Sequence, residues 1–206
     1  MQTRTVAKLG IAMVVAFFAI ESVRTHYFVP QHVGGPSVAV QAALQSPQQG
    51  PADKAAFAFK DFQIQPLARF AIDAKVLSRE DYYLGKEAEL APVDLALGWK
   101  RMADPAVYGL LDISQGGRWY HYRWRDGPPI PVQEIVESSA NMHLIPANAA
   151  VEKTLRKARE GAAVRLTGYL VQVTHPSGWR WTSSLTRTDS GADSCELVFV
   201  ETAQVE

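Results

Sequence analysis

The chain has 206 residues, of which 47% are hydrophobic and 20% charged, with 21 basic residues against 21 acidic ones. This composition is typical of a folded protein with one domain of ordinary size. The balanced charge offers no basic footprint for phosphates, so nucleic acid is not an expected partner. Cys195 is the single cysteine, which excludes an intramolecular disulfide, a cysteine-based zinc cluster and a CxxC redox pair.

Residues 1–29 have the pattern of a membrane anchor or signal. Arg4 and Lys8 precede an apolar run over residues 9–20, and Glu21 interrupts it. About a dozen apolar residues is short for a bilayer span, which needs roughly 17–25, but no small-residue cleavage site follows. We therefore favour an uncleaved signal-anchor, with a cleaved signal or a buried helix as alternatives. The positive N-terminus predicts a single-pass protein of the bacterial inner membrane with its C-terminal domain in the periplasm.

The remaining chain divides into a predicted linker and a predicted domain. Residues 30–56 are rich in Pro, Gln, Gly and Ala and show little apolar periodicity, which is typical of a flexible linker. Residues 57–206 are then the globular domain. Within it, residues 67–77 alternate apolar and polar side chains, as a half-buried strand does. Residues 90–97 place apolar side chains at helical spacing around a proline, which favours a short helix.

The second half of the domain predicts one more helix and further strands. Asn148 is a good N-cap for a helix that carries apolar Val151 and Leu155 on one side. Residues 163–173 read as a strand in which Gly168 marks a bulge or a sharp bend. The fold class is therefore α+β and strand-rich. It is compatible with an OB-like, partly open barrel and also with other α+β arrangements.

Two segments combine aromatic and cationic side chains. Residues 118–125 read RWYHYRWR, so a strand there places Trp119, His121 and Arg123 on one face. The glycines just before this strand, together with an apolar segment over residues 107–113, predict a hairpin. Trp181 belongs to a second such cluster, Trp-Arg-Trp. These side chains are candidate ligand contacts by stacking, and cross-strand packing with cation–π contacts is the alternative.

Four further acidic or basic positions and one histidine are candidate site residues. His143 precedes a predicted helix start, where backbone N–H groups and the helix dipole attract anions, and Arg187 is a second candidate contact for an acidic ligand. Asp189, Asp193 and Glu196 flank a glycine-containing loop and have the oxygen atoms that calcium prefers. An ordinary hairpin loop is the alternative for this acidic segment. No serine-nucleophile motif occurs, so we assign no catalytic residue and expect no cofactor.

Three segments also carry a resemblance. The sequences WRWTSSLTRTDSGADSCE, ANMHLIPAN and GAAVRLTGYLV resemble those of a group of uncharacterised single-pass bacterial membrane proteins of unknown function. The likeness covers most of residues 57–201. It implies bacterial origin and membrane attachment, and it implies no activity and no site residue.

The sequence supports two functional hypotheses and leaves a third open. The first is a membrane-tethered extracytoplasmic binding or assembly module whose aromatic strands contact an envelope protein or a glycan. The second is an envelope hydrolase in which His143, Arg187, Asp189 and Glu196 converge in one cleft. The third is a structural subunit of a larger membrane complex.

Overall fold

The computed structural model describes residues 45–188 and 194–206. Strands predominate among them, and the fold is α+β. The strands are β1 (Gln48–Pro51), β2 (Phe57–Phe59), β3 (Phe62–Asp81), β4 (Val93–Gly98), β5 (Asp112–Gly116), β6 (Trp119–Arg123), β7 (Ser139–Pro146), β8 (Ala163–Thr174), β9 (Arg180–Thr182) and β10 (Glu196–Val205). The helices are α1 (Lys86–Leu90), α2 (Pro105–Tyr108), α3 (Val132–Glu137) and α4 (Ala149–Leu155), with a 3-10 turn at Lys100–Ala103.

Five of these strands form a ring. β3 pairs with β4, β4 with β7, β7 with β10, β10 with β8, and β8 returns to β3. The β7–β10 pair is parallel and the other four pairs are antiparallel. The length of β3 makes the closure possible, because residues 63–75 pair with β8 and residues 75–81 pair with β4. We call these strands the five-stranded ring.

One hydrophobic cluster has members from all five strands of the ring. β3 contributes Phe70, Ile72, Ala74 and Val76, which confirms the strand predicted from their alternation with polar residues. A second cluster, on the opposite face of β7 and β10, contains Ile145, Leu197 and Phe199. The two faces of these strands are therefore both buried against other elements, and each residue's place in the alternation decides which cluster it joins.

The helix predicted over residues 90–97 is wrong, because β4 occupies most of that range. Val93, Leu95 and Leu97 belong to the ring cluster, while Ala96 packs in a third cluster beneath the β5–β6 hairpin. A strand buried on both faces has a continuous apolar run instead of an alternating pattern. Apolar side chains then fall at helical spacing by chance, and periodicity alone does not distinguish the two structures.

Gly168 lies where the backbone of β10 approaches β8 closely, but the bulge predicted at this glycine is not in β8. A Cβ atom built on Gly168 would lie 1.9 Å from the carbonyl oxygen of Phe199. The register of β10 shifts between Val200 and Thr202, directly opposite Gly168 and its neighbour. The bulge is therefore in the partner strand, and glycine is the residue that lets the two backbones come together.

The linker prediction over residues 30–56 needs correction where the structure describes it. Gln48–Pro51 forms β1, which pairs antiparallel with residues 68–71 of β3. Backbone pairing with β3 orders this segment, so it forms a strand at the edge of the sheet although it has no apolar periodicity. The predicted membrane segment, residues 1–29, lies outside the described residues. Among the described residues, no helix is long and apolar enough to cross a bilayer.

Helix α4 begins at the predicted cap. The Asn148 side-chain oxygen accepts hydrogen bonds from the backbone N–H groups of Ala150 at 3.0 Å and Val151 at 3.1 Å. Replacing Asn148 by alanine should lower the free energy of unfolding by about 1 kcal/mol, because two N–H groups lose their acceptor. Asn148→Ser keeps an acceptor and should remain close to the parent protein in urea unfolding. Equal stability of the alanine and serine variants would contradict this role for the cap.

The predicted hairpin is present, with its first strand later in the chain than expected. β5 and β6 pair from Asp112 opposite Arg123 to Gly116 opposite Trp119. The two loop residues, Gly117 and Arg118, both have positive φ, at 59° and 72°. Two such residues match the twist of the paired strands, but the conformation is unfavourable for arginine. Contacts of the Arg118 side chain, described below, hold the turn in this form.

Candidate functional site

A cleft of about 130 Å³ lies between the β5–β6 hairpin, helix α3 and the first residues of β7 and β10. Four aromatic side chains line it: Trp99, Trp119, Tyr120 and Tyr122. Trp99 follows β4 and is almost fully buried, whereas Trp119 has 44% of its surface exposed. The aromatic wall of the cleft therefore includes both buried and partly exposed residues.

The tyrosines of β6 stay uncharged in this wall. Burial raises the pKa of Tyr120 and, to a smaller extent, that of Tyr122. The Tyr120 hydroxyl lies 3.4 Å from Ser139 Oγ, and the two tyrosine rings are 5.6 Å apart between centroids. Their neutral hydroxyls are available as hydrogen-bonding groups without adding charge to the cleft.

The charged part of the cleft is an ion pair between Arg187 and Glu196. Arg187 Nη1 donates a hydrogen bond to Glu196 Oε1, and only 1% of the Glu196 side chain is exposed. The Arg187 guanidinium also lies 5.8 Å from the centroid of the Phe70 ring, which belongs to the ring cluster. The ion pair therefore packs against the hydrophobic core, and the neighbouring side chains fix its geometry.

Three buried donors at this cleft have no hydrogen-bond partner among the described residues. They are Trp99 Nε1 and the Nε and Nη2 atoms of Arg187. Leaving a buried donor unpaired costs about 1–3 kcal/mol, so such groups are rare in folded proteins. Because both residues line the cleft, a ligand with acceptor oxygens could pair with donors that the described residues leave unpaired.

A second polar cluster lies on the outer face of the ring, around Asp94. This carboxylate is fully buried and binds Arg118 Nη1 at 2.6 Å and His143 Nδ1 at 2.8 Å. The Arg118 guanidinium lies over the Tyr82 ring at 3.6 Å, and Trp181 lies against His143 with centroids 4.7 Å apart. These side chains surround the carboxylate, and we call Asp94, Arg118, His143, Tyr82 and Trp181 the Asp94 cluster.

Asn141 connects the Asp94 cluster with the cleft. It lines the cleft, accepts a hydrogen bond from Gln115 Nε2 at 2.6 Å and donates to the Arg118 carbonyl at 3.0 Å. The Cys195 thiol also contacts that carbonyl, at 3.9 Å. Because Arg118 lies in the turn of the β5–β6 hairpin, these contacts hold the hairpin against β7 and β10. The hairpin wall of the cleft is therefore positioned by the Asp94 cluster.

The structure brings four of the six predicted ligand residues together, as two separate pairs. Trp119 and Arg187 line the same cleft. His143 and Trp181 lie in the Asp94 cluster, where their rings contact each other at a tilt of 43°. His121 and Arg123 are exposed on β6, outside the cleft lining, and Arg123 has only a long 3.9 Å contact with Asp112.

The predicted metal site has no support in the described residues. Asp189 and Asp193 lie outside them, and Glu196 is paired with Arg187. Among the described residues, no group of three or more His, Cys, Asp and Glu side chains is close enough to hold a metal ion.

The convergence predicted for a hydrolase is also not seen in the described residues. Leu197 pairs with His143 and Glu196 with Met142 along the parallel β7–β10 ladder. Met142 belongs to the ring cluster and Leu197 to the cluster on the opposite face. His143 and Glu196 therefore project to opposite faces of the sheet, with Arg187 on the side of Glu196.

The chain matches no protein-family model, no curated protein and no solved structure.

Two important site residues were not predicted from the sequence. Trp99 lines the cleft, and Asp94 organises the cluster behind it. One signal did exist for Asp94, which is a lone carboxylate within the apolar segment Val93–Gly98. A charged residue in a segment buried on both faces needs a hydrogen-bonding or oppositely charged partner. A buried charge with such a partner is a reason to look for a functional site nearby.

Proposed function

We propose that this protein is a membrane-tethered binding or assembly module and that the cleft is where it contacts its ligand. The observation that carries the proposal is the set of buried donors on Trp99 and Arg187 that have no partner among the described residues, in a cleft that the partly exposed Trp119 also lines. An apolar wall with a few convergent polar groups is the usual composition of a ligand site in a folded protein.

The proposal includes an OB-like fold for the five-stranded ring. Its strand order, its parallel β7–β10 pair and helix α4 between β7 and β8 support this classification. Barrels of this kind bind oligonucleotides and oligosaccharides on one face and in the adjacent loops. The likeness is one of architecture, so it makes a binding role plausible and assigns no residue to it.

The proposed location is the periplasmic side of a bacterial inner membrane. It is supported by Arg4 and Lys8 before the apolar run of residues 9–20. An envelope protein or a glycan is the proposed partner, because the chain is balanced in charge and the cleft is aromatic. Nucleic acid remains an unexpected partner for the same reason.

The test of the binding role compares two tryptophans of one hairpin segment. Trp119 lines the cleft and is 44% exposed, whereas Trp124 is 37% exposed and is not among the lining residues. Thermal unfolding of the full-length chain in mild detergent is followed with neutral monosaccharides, inorganic phosphate, acetate and glycylglycine added in turn. A probe at about 100 times its Kd should stabilise the protein by about 2.7 kcal/mol.

We expect at least one probe to raise Tm. Trp119→Ala should weaken the binding of that probe about tenfold or more, because the exposed stacking face is removed, while Trp124→Ala should keep it. Absence of any Tm shift across the four probe classes would overturn the proposal. Equal loss or equal retention of binding in the two alanine variants would place the site elsewhere.

A further inference from the structure

We infer that the group received by the cleft is an uncharged, hydroxyl-bearing ring, the chemistry of a neutral sugar residue. This inference depends on the proposed binding function and makes its ligand class specific. It follows from four properties of the cleft, which are its charge, its unpaired donors, its aromatic wall and its size.

The charge of the cleft favours a neutral ligand. Among the described lining residues, Arg187 and Glu196 carry the formal charges, and they neutralise each other as a buried ion pair. An anionic group that approached Arg187 would also meet the Glu196 carboxylate, and a cation that approached Glu196 would meet the guanidinium. In a poorly solvated site either encounter weakens binding substantially. Tyr120 and Tyr122 add no charge, because a phenol is neutral at neutral pH and burial raises the pKa of both further.

The unpaired donors require oxygen acceptors, and the buried ion pair of Arg187 and Glu196 favours acceptors that carry no full charge. Trp99 Nε1 only donates, and so do the Nε and Nη2 atoms of Arg187. A hydroxyl oxygen has two lone pairs for such donors and an O–H group that it can donate in turn. Several hydroxyls on one ring would therefore satisfy several of these donors at once. An apolar ring without oxygen atoms would leave the same donors buried and unpaired.

The aromatic wall and the volume fit a single saturated ring. Trp119 is partly exposed where it lines the cleft. The C–H groups on one face of a sugar ring are slightly positive, so they pack on the face of an aromatic ring as the edge of a second aromatic ring does. The cleft volume of about 130 Å³ is close to the roughly 150 Å³ of an engineered cavity that binds benzene. One edge of a sugar ring with its nearest hydroxyls therefore enters the cleft, and the remaining substituents extend from the open side.

The experiment compares matched sugars on the full-length protein in mild detergent at low salt. The neutral probes are the methyl glycosides of glucose, galactose, mannose and N-acetylglucosamine. The charged probes are the corresponding uronic acids, which carry a carboxylate, and glucosamine, which carries an ammonium group. We expect a neutral glycoside to bind in calorimetric titration and its charged counterparts to bind about tenfold more weakly or worse. The same preference should be present in Trp124→Ala.

A Glu196→Gln variant provides an internal check on the reason for this selectivity. Removing the carboxylate leaves the Arg187 charge uncompensated, so the uronic acid should gain affinity relative to the neutral sugar. If the variant does not fold, the comparison in the parent protein decides by itself. A charged sugar that binds as tightly as its neutral counterpart would overturn the inference.

The two proposals fail in distinguishable ways. If no sugar binds but phosphate, acetate or glycylglycine raises Tm through Trp119, the sugar inference is wrong and the binding function stands. If no probe of any class binds, both are wrong.

Discussion

Replacing Gly168 by alanine should destabilise the domain by about 3 kcal/mol or more, because the new methyl group has no space. The Cβ position lies 1.9 Å from the Phe199 carbonyl oxygen and 3.0 Å from its carbon. Both are backbone atoms of β10, so a side-chain rotation cannot relieve the clash. Gly168 also pairs with Phe70 of β3, and its displacement would disturb both neighbours of β8 in the ring.

The matched control is Gly116→Ala in β5. A Cβ atom at Gly116 meets nothing within 4 Å, so this variant should stay within about 0.5 kcal/mol of the parent protein. Urea unfolding of both variants and of the parent measures the difference. Equal stability of the two alanine variants would show that β8 and β10 do not approach each other in the way described.

Replacing Arg118 by alanine should cost about 3–5 kcal/mol, because it leaves a fully buried carboxylate without its cation. Asp94 has no exposed surface and would retain His143 and the longer 3.4 Å contact with Asn141. Arg118 also donates to the Ala91 carbonyl at 2.9 Å and stacks on Tyr82. Arg118→Lys keeps the charge but not the planar fork, so it should lose less stability than the alanine variant.

The hairpin itself supplies the control for this prediction. Arg123 lies on β6, its side chain is 79% exposed, and its contact with Asp112 is long. Arg123→Ala should therefore change the free energy of unfolding by less than about 0.5 kcal/mol. Hydrogen exchange shows where the stability is lost, since the amides of β5 and β6 should lose protection in Arg118→Ala. Unchanged protection of these amides in that variant would contradict the role of Arg118 as the hairpin anchor.

The local elements with a strong pattern of their own were predictable. The alternation over residues 67–77 led to β3, and Asn148 marked the start of α4. Two elements without such a pattern were not. β4 is apolar on both faces, so its spacing resembles a helix, and β1 is ordered through hydrogen bonds to β3. In both cases the information lies in the neighbouring strands and not in the segment itself.

Some residues of the candidate site were likewise predictable from the sequence, and others were not. Trp119 and Arg187 were predicted as ligand residues from their chemistry, and they line one cleft. The same reasoning selected His143 and Trp181, which instead pack around Asp94. An aromatic or basic side chain has the same sequence signal in a cleft and in a packed cluster, because only its neighbours differ.

The sequence by itself determined the properties that depend on composition and on near neighbours along the chain. These are the balanced charge, the lack of a disulfide within the chain, the strand-rich α+β character and the cap at Asn148. Tertiary structure alone decided the closure of the ring, the pairing of Arg187 with Glu196, and the separation of His143 from both. The reason is that side-chain burial and pairing depend on strand register, which joins residues far apart in the chain and places alternate residues on opposite faces.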